Sequence, residues 1–211
     1  MRIANILRKV LRRLVPNNSV EKALGVDICE SGVMQNAIEL WHNMYKNEPP
    51  WRGGKDNVIP LNLPSAISEE FARLILTEFS MEVTGSPMAA FINEQLKDQL
   101  TDLNKFVEMY CEGGAIAVKP FVTNIDENGR PTAIELDFVK AVDFFPCAFN
   151  NKGEITAAVF VEGKKIGDYL YTRLEYHELT GMTYTIINKA FKSEEIYQYN
   201  DDGTYAVRDR F

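Results

Sequence analysis

The sequence predicts an α+β fold, with N-terminal helices followed by an antiparallel β meander. Three observations carry this. Apolar residues recur at helical spacing through about residue 110. From residue 115 the apolar period drops to two. Turn-forming pairs then recur at short intervals, as a meander requires.

The elements follow in order. Residues 2–14 read as a basic amphipathic helix, with Ile3, Ile6, Leu7, Val10, Leu11 and Leu14 on one face. Pro16 and Asn17-Asn18 end it. A second helix covers about 33–46, with Met34, Ala37, Ile38, Trp41, Met44 and Tyr45 on one face, and Glu48-Pro49-Pro50 stops it. Trp51 and Gly53-Gly54 form a loop. A third helix starts near Ser65, lined by Ile67, Phe71, Leu74, Ile75 and Phe79. Glu69 and Glu70 in its first turns suit the helix dipole. A fourth, longer helix starts at Ser86-Pro87, a good N-cap and first-turn pair. It carries Ile92, Leu96, Leu100, Leu103, Val107 and Tyr110, and Gly113-Gly114 ends it.

Strands are expected at about 115–122, 133–139, 155–162, 166–178 and 182–188. Asn128-Gly129, Asn150 to Gly153, Gly163 and Thr180-Gly181 separate them. In the strand from 166, Ile166, Leu170, Leu174 and Tyr176 share a face. Tyr169, Tyr171, Arg173, Glu175 and His177 take the other. The domain reading is a basic arm over 1–30 and one α+β domain over 31–211.

At 211 residues, with 45% hydrophobic and 25% charged, the composition is that of a globular protein able to bury a core. Twelve Phe, nine Tyr and two Trp supply large apolar surfaces. Cys29, Cys111 and Cys147 are widely spaced and odd in number, which points to reduced thiols. No apolar run reaches the length of a membrane span. The net charge of −7 hides an asymmetry: Arg2, Arg8, Lys9, Arg12 and Arg13 stand in residues 1–14 with no acid. All 30 acids therefore face 18 bases in the rest. So acidic a body does not grip phosphates, and it suits a surface that lets DNA pass without adhering.

Asn124, Asp126, Asn128, Gly129 and Glu135 approach the calcium-loop pattern. Pro131 and the strand-like flanks favour a hairpin turn instead. Glu175 and His177 share a strand face and could seed a metal or acid–base site. No further ligand is spaced to complete it, so an ion pair on the solvated face of the sheet is expected. His42 has no ligand pattern and reads as a surface or packing residue. Gly113-Gly114 follows a helix and precedes a strand, the reverse of a phosphate loop. No catalytic residue, metal ligand set or cofactor is expected from these patterns. The interface candidates are Trp41, Tyr45 and Trp51. Arg8, Lys9, Arg12 and Arg13 are the candidates for contact with an anionic surface.

Seven stretches, in order, carry a resemblance. They are WHNMYKNEPPW (41–51), NLPSAISEEFARLILTEF (62–79), YCEGGAIAVKPFV (110–122), ELDFVKAVDFFP (135–146), GEITAAVFVE (153–162), YTRLEYHEL (171–179) and YTIINKAFKS (184–193). Taken collinearly, the chain resembles the N-terminal wing portion of tailed-phage portal proteins of the SPP1-like kind. The resemblance implies a non-catalytic subunit of a ring of about twelve copies at a capsid vertex, with closed symmetry. Such rings serve DNA packaging and head–tail connection. The implied partners are its own copies, capsid and scaffold proteins, the packaging terminase and the tail connector. Double-stranded DNA would be touched transiently, through the clip, stem and crown that this segment does not contain. The implied location is the virion, and the host cytoplasm during assembly. The rival readings are a peripheral membrane or partner-binding module using the basic N-terminal helix, and a metal hydrolase using Glu175 and His177.

Overall fold

A computed structural model describes residues 17–49, 51, 59–167, 169–199 and 205–210. The expected helix over 2–14, with Arg8, Lys9, Arg12 and Arg13, lies outside the described residues. The fold is α+β, helices first and antiparallel strands after, as expected. The chain divides into two compact units. One joins Met1–Glu30 to Asp143–Phe211, and the other is Ser31–Val142.

The first unit packs a short helix on a sheet. Helix α1 (Asn17–Leu24) begins where the sequence reading ended its first helix. Val20, Ala23 and Leu24 follow helical spacing, and Val20 is fully buried. Eight residues carry too little periodicity to announce such a helix. Gly25 ends it at φ +73, with its N–H on Glu21 O at 2.7 Å. The Glu21 carboxylate then accepts from Ile28 N at 3.2 Å, turning the chain back.

Strand β3 (Phe144–Phe149) was not expected, and it leads into β4 (Ile155–Ile166), β5 (Tyr169–Thr180), β6 (Thr183–Tyr199) and β7 (Tyr205–Arg210). These form one sheet in chain order, each pair antiparallel. Gly163 is no turn: it pairs with Thr172 inside the β4–β5 ladder. The reversal falls at Gly167, which takes the φ of +61 that a tight turn favours. Ile166 therefore closes β4 and does not share the face of β5. Leu170, Leu174 and Tyr176 do share it and are buried, and Leu174 and Tyr176 pack with Val20, Ala157 and Val159. The Thr180-Gly181 turn stands as expected, but β6 runs on to 199 and pairs with the unexpected β7.

The second unit holds helices α2 (Gly32–Tyr45), α3 (Leu63–Ile75), α4 (Ala89–Gln99) and α5 (Leu103–Gly113), then the hairpin β1 (Ile116–Ile125) and β2 (Pro131–Lys140). Ser31 caps α2 by accepting from Met34 N at 3.2 Å. The single long helix expected from 86 is broken. A 3₁₀ turn at Leu100–Asp102 separates α4 from α5. The break lets α4 serve the sheet edge. Gln99 accepts from Leu136 N at 2.5 Å and donates to Ile134 O at 2.6 Å, while Gln95 accepts from Ile134 N at 3.2 Å. Two glutamines one turn apart thus stand in for a third strand beside β2. Phe106 of α5 stacks on Phe138 of β2, ring centres 3.5 Å apart. The 124–129 segment is the hairpin turn expected of it. Asp126 Oδ1 accepts from Asn128 N and Arg130 N, each at 2.8 Å, and Gly129 sits at φ +75.

Candidate functional site

The chemistry of the second unit gathers where α2, α5 and the end of β2 meet. His42 and Tyr45 lie three apart on α2, so they share a face. Glu108 and Glu112 lie four apart on α5 and do the same. Lys140 closes β2, and Ala141 follows it. Gly113 lets these elements approach: a Cβ there would lie 3.1 Å from Ala141 Cβ.

The result is a buried polar cluster. His42 Nδ1–H donates to one oxygen of Glu112. Lys140 Nζ donates to the other at 2.6 Å. The Tyr45 hydroxyl donates to Glu108, and Lys140 Nζ lies 5.5 Å from the Tyr45 ring centre. His42 is 3% exposed and Glu112 7%. Burial works to raise the Glu112 pKa. The hydrogen bonds from His42 and Lys140, with their charges, outweigh it and hold the carboxyl below its ordinary value. Tyr45 moves the other way. Burial first, then the Glu108 carboxylate, push its phenol well above the ordinary range, so it stays a neutral donor.

Glu112 is therefore a charged anchor tying three elements together, with both carboxylate oxygens engaged. It is not placed as a general base. Sequence reading missed this cluster and took His42 for a surface or packing residue. The legible signal was the pairing of His42 with Tyr45 and of Glu108 with Glu112 along two helix faces.

The second expected polar pair is on β5. His177 Nε2 contacts Glu175 Oε1 at 2.5 Å, and His177 Nδ1 contacts the Tyr184 hydroxyl. Arg173 lies 3.4 Å from Glu175 and 2.5 Å from Glu162. The Phe160 ring meets the imidazole edge-on, centres 4.9 Å apart. The two side chains do meet, but the expected solvated setting is corrected: Glu175 and His177 are both buried. Neighbours on β4 and β6, Phe160 and Tyr184, close over positions that alternation alone assigned to solvent. Both imidazole nitrogens are engaged within the sheet. Among the described residues, no group of three or more His, Cys, Asp or Glu is placed to hold a metal ion.

The interface candidates separate. Tyr45 is partly buried in the polar cluster. Trp41 is 42% exposed and Trp51 63%. The expected apolar face of α2 is rotated, with Ile38 and His42 inward and Met34 and Trp41 outward.

A larger surface emerges on α3. Leu63, Ile67, Phe71, Leu74 and Ile75 fall on one stripe, and each is more than half exposed. Ser68 and Ala72, on the opposite side, are the buried residues of this helix, which packs on α5. Small residues thus face the unit and bulky ones face outward, the reverse of a solvated helix. Sequence periodicity identified the stripe and not its direction. No protein-family model, curated protein or solved structure matches this chain.

Proposed function

We propose that this chain is a non-catalytic assembly subunit, the wing-like part of a tailed-phage portal ring at a capsid vertex. The observation that carries the assembly reading is the outward stripe of α3. Five bulky apolar side chains stand open on one helix face. A surface of that kind marks a protein–protein contact. The collinear resemblance supports a neighbouring copy in a closed ring as the occupant. The helices-then-meander order and the acidic composition suit a wing beside passing DNA. The buried Glu112 cluster fits the same reading, because it holds α2, α5 and β2 in fixed register within a unit that must keep its shape. Capsid, scaffold, terminase and tail connector are the partners this reading brings with it, and the virion is the location.

Native mass spectrometry and negative-stain microscopy of the purified chain test it. The expected result is closed rings of about twelve copies. Ile67→Glu combined with Phe71→Glu should return monomers with unchanged circular dichroism. A parent chain that stays monomeric at about 100 μM overturns the ring reading. Rings that survive the double substitution overturn the role of α3.

A further inference from the structure

The first unit is built from two stretches far apart in sequence, Met1–Glu30 and Asp143–Phe211. Two of the three cysteines lie where these stretches meet. Cys29 N–H donates to Pro146 O at 2.9 Å. The Cys29 thiol donates to Cys147 O at 2.8 Å. The Cys29 thiol thus lies against the main chain of Cys147 itself, the close approach of two backbones that a disulfide needs.

An independent feature points the same way. In the β3–β4 ladder, Pro146 pairs with Ala158 and Ala148 with Ala157, so Cys147 is the extra residue of a bulge. Bulges bend a strand and re-aim a side chain. Here the bulge leaves the Cys147 carbonyl for the Cys29 thiol. Cys147 also packs against the buried cluster that receives Val26 and Ile28, neighbours of Cys29 in sequence. Burial, and after it the Cys29 thiol, push the Cys147 thiol up to about 11.

We infer that Cys29 and Cys147 form an oxidisable dithiol site, closed to an intramolecular disulfide by a small aliphatic disulfide such as oxidised glutathione. Cys29 is exposed and meets the reagent first. Its thiolate attacks one sulfur of the reagent, forming a protein–glutathione mixed disulfide and releasing one glutathione thiolate. The Cys147 thiolate then attacks Cys29 Sγ, which breaks the mixed bond and releases the second. Two protein thiols lose two electrons and two protons, and one reagent disulfide becomes two thiols. The second step is the slow one, because half-buried Cys147 holds its proton. The closed bond would tie the segment after α1 to β3 across 118 positions of sequence. This inference stands apart from the portal reading.

The test is to incubate the folded chain with oxidised glutathione, alkylate it under denaturing conditions and map it by mass spectrometry. The expected product has lost two hydrogens, links the Cys29 and Cys147 peptides, and leaves Cys111 alkylated. Cys29→Ser should abolish the product, and Cys147→Ala should leave glutathione parked on Cys29. Three outcomes overturn the inference. They are a mixed disulfide that persists on Cys29 in the parent chain, a link that involves Cys111, and no reaction at all.

Discussion

Replacing Glu112 with glutamine removes one negative charge from the centre of the α2–α5–β2 cluster and keeps the shape. The Glu112 side chain is 2% exposed, His42 4% and Lys140 16%, so water does little to screen the loss. Lys140 loses its charged acceptor, and one of the two donors must now face an amide. Breaking a buried pair by removing one partner costs about 3 kcal/mol or somewhat more. At a urea slope of about 1.5 kcal/mol per M, the unfolding midpoint falls by about 2 M. Both tryptophans, Trp41 and Trp51, belong to the second unit, so their fluorescence follows its unfolding. The pH dependence has a definite sign. Glu112 titrates lower in the folded chain than in the unfolded one. Its stabilisation is present above the ordinary carboxylate range and is lost as pH falls through the folded value. The parent should therefore weaken in that acid window, and Glu112→Gln should weaken less steeply there. Adding Lys140→Met to Glu112→Gln should recover more than half of the loss, since the stranded cation is then gone. A midpoint for Glu112→Gln within about 0.3 M of the parent would refute the anchoring role.

Three further outcomes follow from the packing. Gln95→Ala and Gln99→Ala should each cost about 1–2 kcal/mol by leaving the β2 edge unpaired. Hydrogen exchange at Leu136 should quicken in Gln99→Ala, and unchanged exchange there would remove the glutamine edge. Val20→Ala should lower the stability of the first unit by about 2 kcal/mol, because Val20 is fully buried against the sheet. A thermal melt unchanged by that substitution would mean α1 does not hold the core. Ile67→Glu with Phe71→Glu should leave the monomer within about 0.5 kcal/mol of the parent. A larger loss of melting temperature would show that this face is packed inside the unit.

The sequence read well where periodicity and burial coincide. The turns at Gly129 and Gly181, the end of α5 at Gly113-Gly114, and the Leu170, Leu174, Tyr176 face of β5 all belong to this class. It failed where one residue carried two meanings. Gly163 read as a turn because glycine is common in turns, yet a glycine can also sit inside a ladder. The long helix from 86 kept its apolar period across the break, so spacing alone could not reveal the 3₁₀ turn. The break accompanies the reach of Gln95 and Gln99 to Ile134 and Leu136, contacts more than 30 positions away that local spacing does not show. Strand β3 stayed hidden because Phe144 to Phe149 is short, holds a proline and carries a bulge, which blurs the alternation.

The polar clusters were illegible for a related reason. Pattern reading assigns polar residues to solvent and apolar residues to the interior. Burying His42 reverses that rule, and its partner Glu112 stands 70 positions away. Burying His177 does so through Tyr184 on the next strand. On α3 the rule breaks in the opposite direction, with apolar residues outside and Ser68 and Ala72 inside. The reversals at His42 and on α3 fall in one unit and bear on each other. A unit that turns a bulky stripe outward forgoes that area for its own core, whose buried cluster of Ile38, Ala141 and Val142 is small. A charged network with one defined geometry then has to do part of the holding, and it tolerates one arrangement of its helices where an apolar core tolerates several. Loosening Glu112 should accordingly disturb the presentation of α3, which packs on the same helix α5, before it unfolds the chain. The order of events in urea decides this. Loss of self-association at urea concentrations below the fluorescence transition, at lower urea in Glu112→Gln than in the parent, is the expected result. Coincident loss of assembly and fold in both proteins would break the link between the cluster and the surface.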